Sequence, residues 1–93
     1  MKSIIQEDNG VCFICKKRGY TEEHHCLGGA NRKHSEKYGL KVYLCKGCHT
    51  LNKTAVHNDY DTMCWLRKIA QKEFEKTHTR EEFMRIFGIN YDV

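Results

Sequence analysis

Two Cys-x-x-Cys pairs, Cys12/Cys15 and Cys45/Cys48, constrain this chain more than any other feature. Zinc takes four soft ligands at tetrahedral corners, and a tight Cys-x-x-Cys turn supplies two of them. The pairs are separated by 29 residues, 16 to 44. That span is longer than a compact zinc finger, so the segment between the pairs must build structure of its own. A thioredoxin-like dithiol needs one such pair in a βαβ setting, and neither condition holds. Cys12, Cys15, Cys45 and Cys48 are therefore expected to hold a structural Zn²⁺. Cys26 and Cys64 are left over and are expected to be small buried side chains.

A metal staple suits the size of the chain. Its 93 residues allow one small domain with a modest core. No apolar run reaches the roughly 18 to 20 residues of a membrane span. The start, MKSIIQEDNG, lacks the apolar stretch and cleavage site of a signal peptide. Together with cysteines spaced for metal rather than for disulfides, this predicts a cytosolic protein. The net charge of +4 is uneven: residues 1 to 58 hold ten Lys/Arg against five Asp/Glu, and residues 59 to 93 six against seven. A basic half fits an acidic partner such as nucleic acid, and equally a solvated surface. Four thiolates with one Zn²⁺ would contribute −2, so charge alone does not decide the partner.

Patterning places the elements. Ile4 and Ile5 are expected to anchor the N-terminal lead in the core. TEEHHCL reads as a short strand and GGANRKHSEKYG as a glycine-bounded polar loop. LKVYLC alternates, with Leu40, Val42 and Leu44 on one face and Lys41, Tyr43 and Cys45 on the other, as in a half-buried strand. A short helix is expected from about Cys48 to Val56. Met63, Leu66, Ile69, Ala70 and Phe74 recur at helical spacing. A last helix is bracketed by the capping-box pair Thr79/Glu82 and by Gly88 at the C-cap, with Phe83, Ile86 and Phe87 as its apolar stripe. Trp65 is assigned to the core rather than to base stacking. The expected fold is a single α+β domain: a zinc-stapled ββα unit over residues 12 to 57, then a helical extension over 59 to 93.

His24 and His25 are adjacent, and neighbouring side chains of a strand point to opposite faces. If the two strands pair, the start of the following helix folds back over the first strand. One histidine of the doublet can then join His49 in holding a divalent cation, while the other faces water or phosphate. His57 lies eight residues beyond His49. His34 and His78 lack such company and are expected at the surface. Arg32 and Lys33, with Lys16, Lys17 and Arg18, are available as phosphate contacts or as solvated charge.

This arrangement of Cys-x-x-Cys, a His-His doublet, Gly-Gly and then LCKGCH resembles the HNH nucleases of the ββα-metal (His-Me finger) fold over about residues 12 to 57. HHCLGGANRKHSEKYGLKVYLC resembles small phage and prophage HNH-like proteins, and for that group the likeness runs on to the C-terminus. The resemblance implies His24 and His49 as ligands of a catalytic cation and His25 as the general base. Either His57 or Asn52 would be the third ligand, and Lys53 a phosphate contact. It implies one-metal hydrolysis of DNA phosphodiesters with Mg²⁺ or Mn²⁺, Zn²⁺ or Ni²⁺ being accepted by a histidine-rich site, and products with 5′-phosphate and 3′-hydroxyl ends. It also implies a phage- or prophage-encoded protein in the cytoplasm of a bacterial host, working beside phage DNA-processing proteins. Leu40 stands where the family usually carries an Asn, and Asn31 is the available substitute. Two rival readings follow from that departure: a non-catalytic zinc module that binds nucleic acid or protein, and a structural subunit whose partner supplies the activity.

Overall fold

The computed structural model describes residues 1–93. Two strands and three helices follow one another as β1 (Glu22–His25), α1 (Arg32–Tyr38), β2 (Lys41–Leu44), α2 (Tyr60–Phe74) and α3 (Arg80–Phe87), a small α+β fold. The strands pair antiparallel, Glu22 opposite Leu44, Glu23 opposite Tyr43, His24 opposite Val42 and His25 opposite Lys41. Opposed residues share a face of a sheet. Glu22 and His24 therefore lie on the side of Val42 and Leu44, both fully buried, and Glu23 and His25 lie on the side of Lys41 and Tyr43. The alternation read in LKVYLC holds, except that Lys41 on the second face is also buried.

The segment GGANRKHSEKYG is not a loop. After one tight turn at Gly29–Asn31 it forms α1, which ends at Gly39 with φ 70°. No apolar stripe announces this helix, because its only buried residue is Ser35. The Ser35 hydroxyl accepts from the Leu27 N–H at 3.1 Å and donates to the Leu27 carbonyl at 2.7 Å, so a polar side chain does the anchoring. Gly39 is required twice over: its φ is left-handed, and a Cβ there would collide with the Lys2 carbonyl oxygen.

The helix expected from Cys48 to Val56 is cut down to one π-helical turn. A single wide turn, Gly47–Leu51, gives way to extended backbone at Asn52. The knuckle geometry sets this turn, with the Cys48 N–H directed at Cys45 Sγ at 3.5 Å. The Asn58 amide then donates to the carbonyls of Thr50 (2.6 Å) and Asn52 (3.0 Å), doubling the chain back.

α2 and α3 form as their sequences indicate. Asp59 caps α2, and Leu66, Ala70 and Phe74 are buried along it. The Thr79/Glu82 capping box opens α3, and Gly88 in the left-handed region closes it. These faces pack with Leu27, Leu40, Val42, Leu44 and Phe83 into one core. Trp65 is 47% exposed instead of buried: it sits about 100° around the helix from Leu66 and lies beside Phe13, ring centroids 6.1 Å apart. Ile5 packs against the core, but Ile4 is exposed. Cys26 is buried as expected, and Cys64 only half so. His34 and His78 are not free surface residues: His34 meets the Phe87 ring edge-on, and His78 stacks on Phe74 at 4.2 Å. No helix is long and apolar enough to cross a membrane.

Candidate metal centres

The first Cys-x-x-Cys turn is a small hairpin closed by pairing of Val11 with Arg18. Lys16, at φ 65°, makes the sharp bend. The Phe13 N–H donates to the Tyr43 carbonyl at 2.8 Å, which docks this hairpin beside the end of β2 and hence beside Cys45. The sulfurs of Cys12, Cys15, Cys45 and Cys48 all lie within 4.8 Å of one another. Cys15 Sγ and Cys45 Sγ are 3.8 Å apart. A tetrahedral site with Zn–S bonds of about 2.3 Å has edges of about 3.8 Å, so the cluster has the dimensions of a Zn²⁺ site. Electrostatics points the same way. Burial opposes charge on Cys12, but backbone hydrogen bonds around Cys15, Cys45 and Ile14 outweigh it and bring the thiol down to about 6. Burial, and then the neighbouring sulfurs, push Cys48 up to about 12. Four thiolates cannot be charged together here without a cation among them. A structural metal such as zinc fits this centre.

The second cluster is built from imidazoles. β1 supplies His24, the turn after Cys48 supplies His49, and the doubled-back segment supplies His57, whose N–H donates to the His49 carbonyl at 3.3 Å. One nitrogen from each lies within 4.8 Å of the others, and His49 Nε2 and His57 Nε2 are 3.0 Å apart. Asn52, the competing third position, is exposed and does not line the cleft that these histidines share. Glu22 Oε1 lies 2.9 Å from His49 Nδ1. That hydrogen bond holds the Glu22 carboxyl below its usual range. A carboxylate can only accept, so His49 carries its proton on Nδ1 and turns Nε2 towards His57. His24 Nε2 is buried without a hydrogen-bond partner. Burial, then the positive fields of His57 and His49, push His24 down to about 3, which keeps it neutral and fit to be a ligand. Burial and His49 also lower His57. Three imidazoles with an orphaned buried nitrogen could hold a divalent cation of borderline softness, Zn²⁺ or Ni²⁺, better than Mg²⁺, which prefers oxygen.

His25 faces the other way. Its Nε2 lies 2.8 Å from Glu36 Oε1 and 3.5 Å from Glu23 Oε1. Glu36 is held well below the usual carboxylate range by the Met1 amine first, then by His25 and Lys41. Being ionised, it accepts, so His25 carries its proton on Nε2 and presents Nδ1 as an acceptor. Arg32 Nε donates to that nitrogen across a long 3.4 Å. Buried Lys41 bridges the two carboxylates, 3.0 Å from Glu36 and 3.2 Å from Glu23. The Asn31 amide donates to the Phe87 carbonyl at 3.2 Å.

One open cleft of about 570 Å³ is lined by His24, His49 and His57 together with His25, Arg32 and Arg67. Lys33 borders an adjoining hollow with Glu23 and Glu36. Lys53 is exposed and outside both linings. Sequence reasoning missed Glu22, Glu36 and Arg67. Strand alternation could have found Glu22, two residues before His24 on the same face. Glu36 was hidden in the supposed loop. No protein-family model, curated protein or solved structure matches the chain.

Proposed function

We propose that the protein is a metal-dependent endonuclease of the HNH type that hydrolyses DNA phosphodiester bonds. The observation that carries this reading is the convergence of His24, His49 and His57 in the same cleft as His25, whose acceptor nitrogen is set by Glu36. A divalent cation held by the three histidines would polarise the phosphodiester and stabilise the leaving 3′-oxygen. His25 Nδ1 takes the proton of an attacking water, and the hydrogen bond from Nε2 to Glu36 stabilises the imidazolium that results. The contact from Arg32 is long enough for water to displace it. Support for DNA as substrate comes from the family likeness and from the basic N-terminal half, ten Lys/Arg against five Asp/Glu in residues 1 to 58. The same likeness supports a phage or prophage origin.

A second reading, a zinc module that binds nucleic acid or protein without cutting, is favoured by Leu40, fully buried at the place of the family's Asn. Plasmid nicking separates the two. Metal-stripped protein is refilled with zinc, then given Mn²⁺ or Mg²⁺, and incubated with supercoiled plasmid beside His25→Ala. Relaxation with Mn²⁺ that the variant loses is the expected result. Intact plasmid, branched and single-stranded substrates under every metal would leave the binding module as the better account.

A further inference from the structure

We propose that Arg67 is an anion-binding residue of the cleft, and that with Arg32 it holds a backbone phosphate of the nucleic acid beside the three-histidine centre. Arg67 comes from α2, outside the β1–α1–β2 segment, and lines the cleft with His24, His49 and His57. It forms no ion pair: of the C-terminal half's carboxylates, Glu73 goes to Lys76, Glu75 to Arg80, and Asp92 to Arg80, Lys68 and Lys72, and none to Arg67. Its Nε is buried with no hydrogen-bond partner. Its one polar contact is from Nη2 to Met63 Sδ at 3.1 Å, and a thioether is a weak acceptor. The Tyr91 ring, 5.4 Å from Cζ, holds the guanidinium in place.

A buried guanidinium nitrogen without an acceptor is costly, and the cost is relieved only by an acceptor that comes from outside. The fork of an arginine matches two oxygens of one phosphate group. Arg32, on α1, is likewise free of any carboxylate and donates only the long bond to His25. Two guanidinium groups without a carboxylate partner, in a cleft lined by imidazoles and by Glu23, itself paired with Lys41, make a site for a phosphodiester. This assignment of the ligand rests on the nuclease reading, whereas the anion site itself does not.

Two readouts test it on the full zinc-loaded chain. Binding of a short fluorescent DNA duplex, without Mg²⁺ or Mn²⁺, is followed over a range of salt concentrations. Arg67→Ala is expected to weaken binding about tenfold and to flatten the slope of log K against log salt by about 0.9. Arg67→Lys, which keeps the charge and the aliphatic stem, recovers the slope but only part of the affinity. Arg85→Ala, on the exposed face of α3, changes neither. In the second readout, the side-chain Nε–H resonance of Arg67 is followed by NMR during titration with inorganic phosphate and, at equal ionic strength, chloride. A shift with phosphate alone is expected. Wild-type affinity and slope in Arg67→Ala, with no phosphate shift, would overturn the proposal even if the protein nicks DNA. A phosphate shift in a protein that neither binds nor cuts nucleic acid would keep the anion site and discard the nuclease reading.

Discussion

Glu36 shows how one side chain can set the chemistry of another. It fixes the His25 tautomer through a 2.8 Å hydrogen bond and shares its second oxygen with the Met1 amine at 2.7 Å. Glu36→Ala removes the group that holds the proton on Nε2, and the two tautomers of His25 should then mix. Long-range ¹H–¹⁵N spectra read this directly; an unchanged Nε2–H pattern would show that Glu36 has no such hold. Because folding lowers the Glu36 carboxyl, its stabilisation is complete above the ordinary glutamate pKa of about 4.3 and is lost as pH falls from there towards the lowered folded value. The difference in Tm between wild type and Glu36→Ala is therefore steady from neutral pH down to about pH 4 and shrinks only below it. A difference that grows on acidification would contradict the assignment. At this scale the sequence was legible where residue type alone carried the information: four cysteines at ligand spacing, three histidines, one histidine left to face the other side. It was silent on Glu36 and Arg67, because a lone acid in a polar stretch and a lone arginine on a helix look like any solvated charge until the fold places them.

The elements were legible in proportion to the apolar pattern each one carries. β2 has Leu40, Val42 and Leu44 at period two, and α2 and α3 have their stripes and caps, so periodicity found all three. α1 escaped because its anchor is the Ser35 hydroxyl rather than a hydrophobic face. The turn after Cys48 escaped because knuckle geometry and the Asn58 amide, not helix propensity, direct the backbone there. α3 offers the cleanest test of an element read from its ends. Thr79→Ala deletes the hydroxyl that accepts from the Glu82 N–H at 3.1 Å. The expected loss is about 1 kcal/mol, equivalent to a fall in Tm of about 4–8 °C for a domain of this size. Thermal melting at fixed zinc checks this, and an unchanged Tm would mean that α3 adds nothing to the cooperative unit.

At the scale of the whole molecule, the four-cysteine cluster joins the two ends of the β1–α1–β2 segment, with Cys12 and Cys15 before β1 and Cys45 and Cys48 after β2. Structural zinc contributes about 10–16 kcal/mol of apparent binding energy, as much as the whole stability of about 5–15 kcal/mol of an ordinary domain. Chelation should therefore unfold the protein, and Cys48→Ser should yield a chain with little helical circular dichroism at neutral pH. Full helix content after complete zinc removal would assign the stability to the core of α2, α3 and β2 alone. A last consequence follows from a single peptide bond, the one between Cys48, which closes the four-sulfur cluster, and His49, which opens the three-imidazole cluster. Until the sulfurs are gathered, His49 has no fixed place opposite His24, and the second set of donors does not exist as a set. Were both clusters to bind metal, the sulfur centre would fill before the histidine centre.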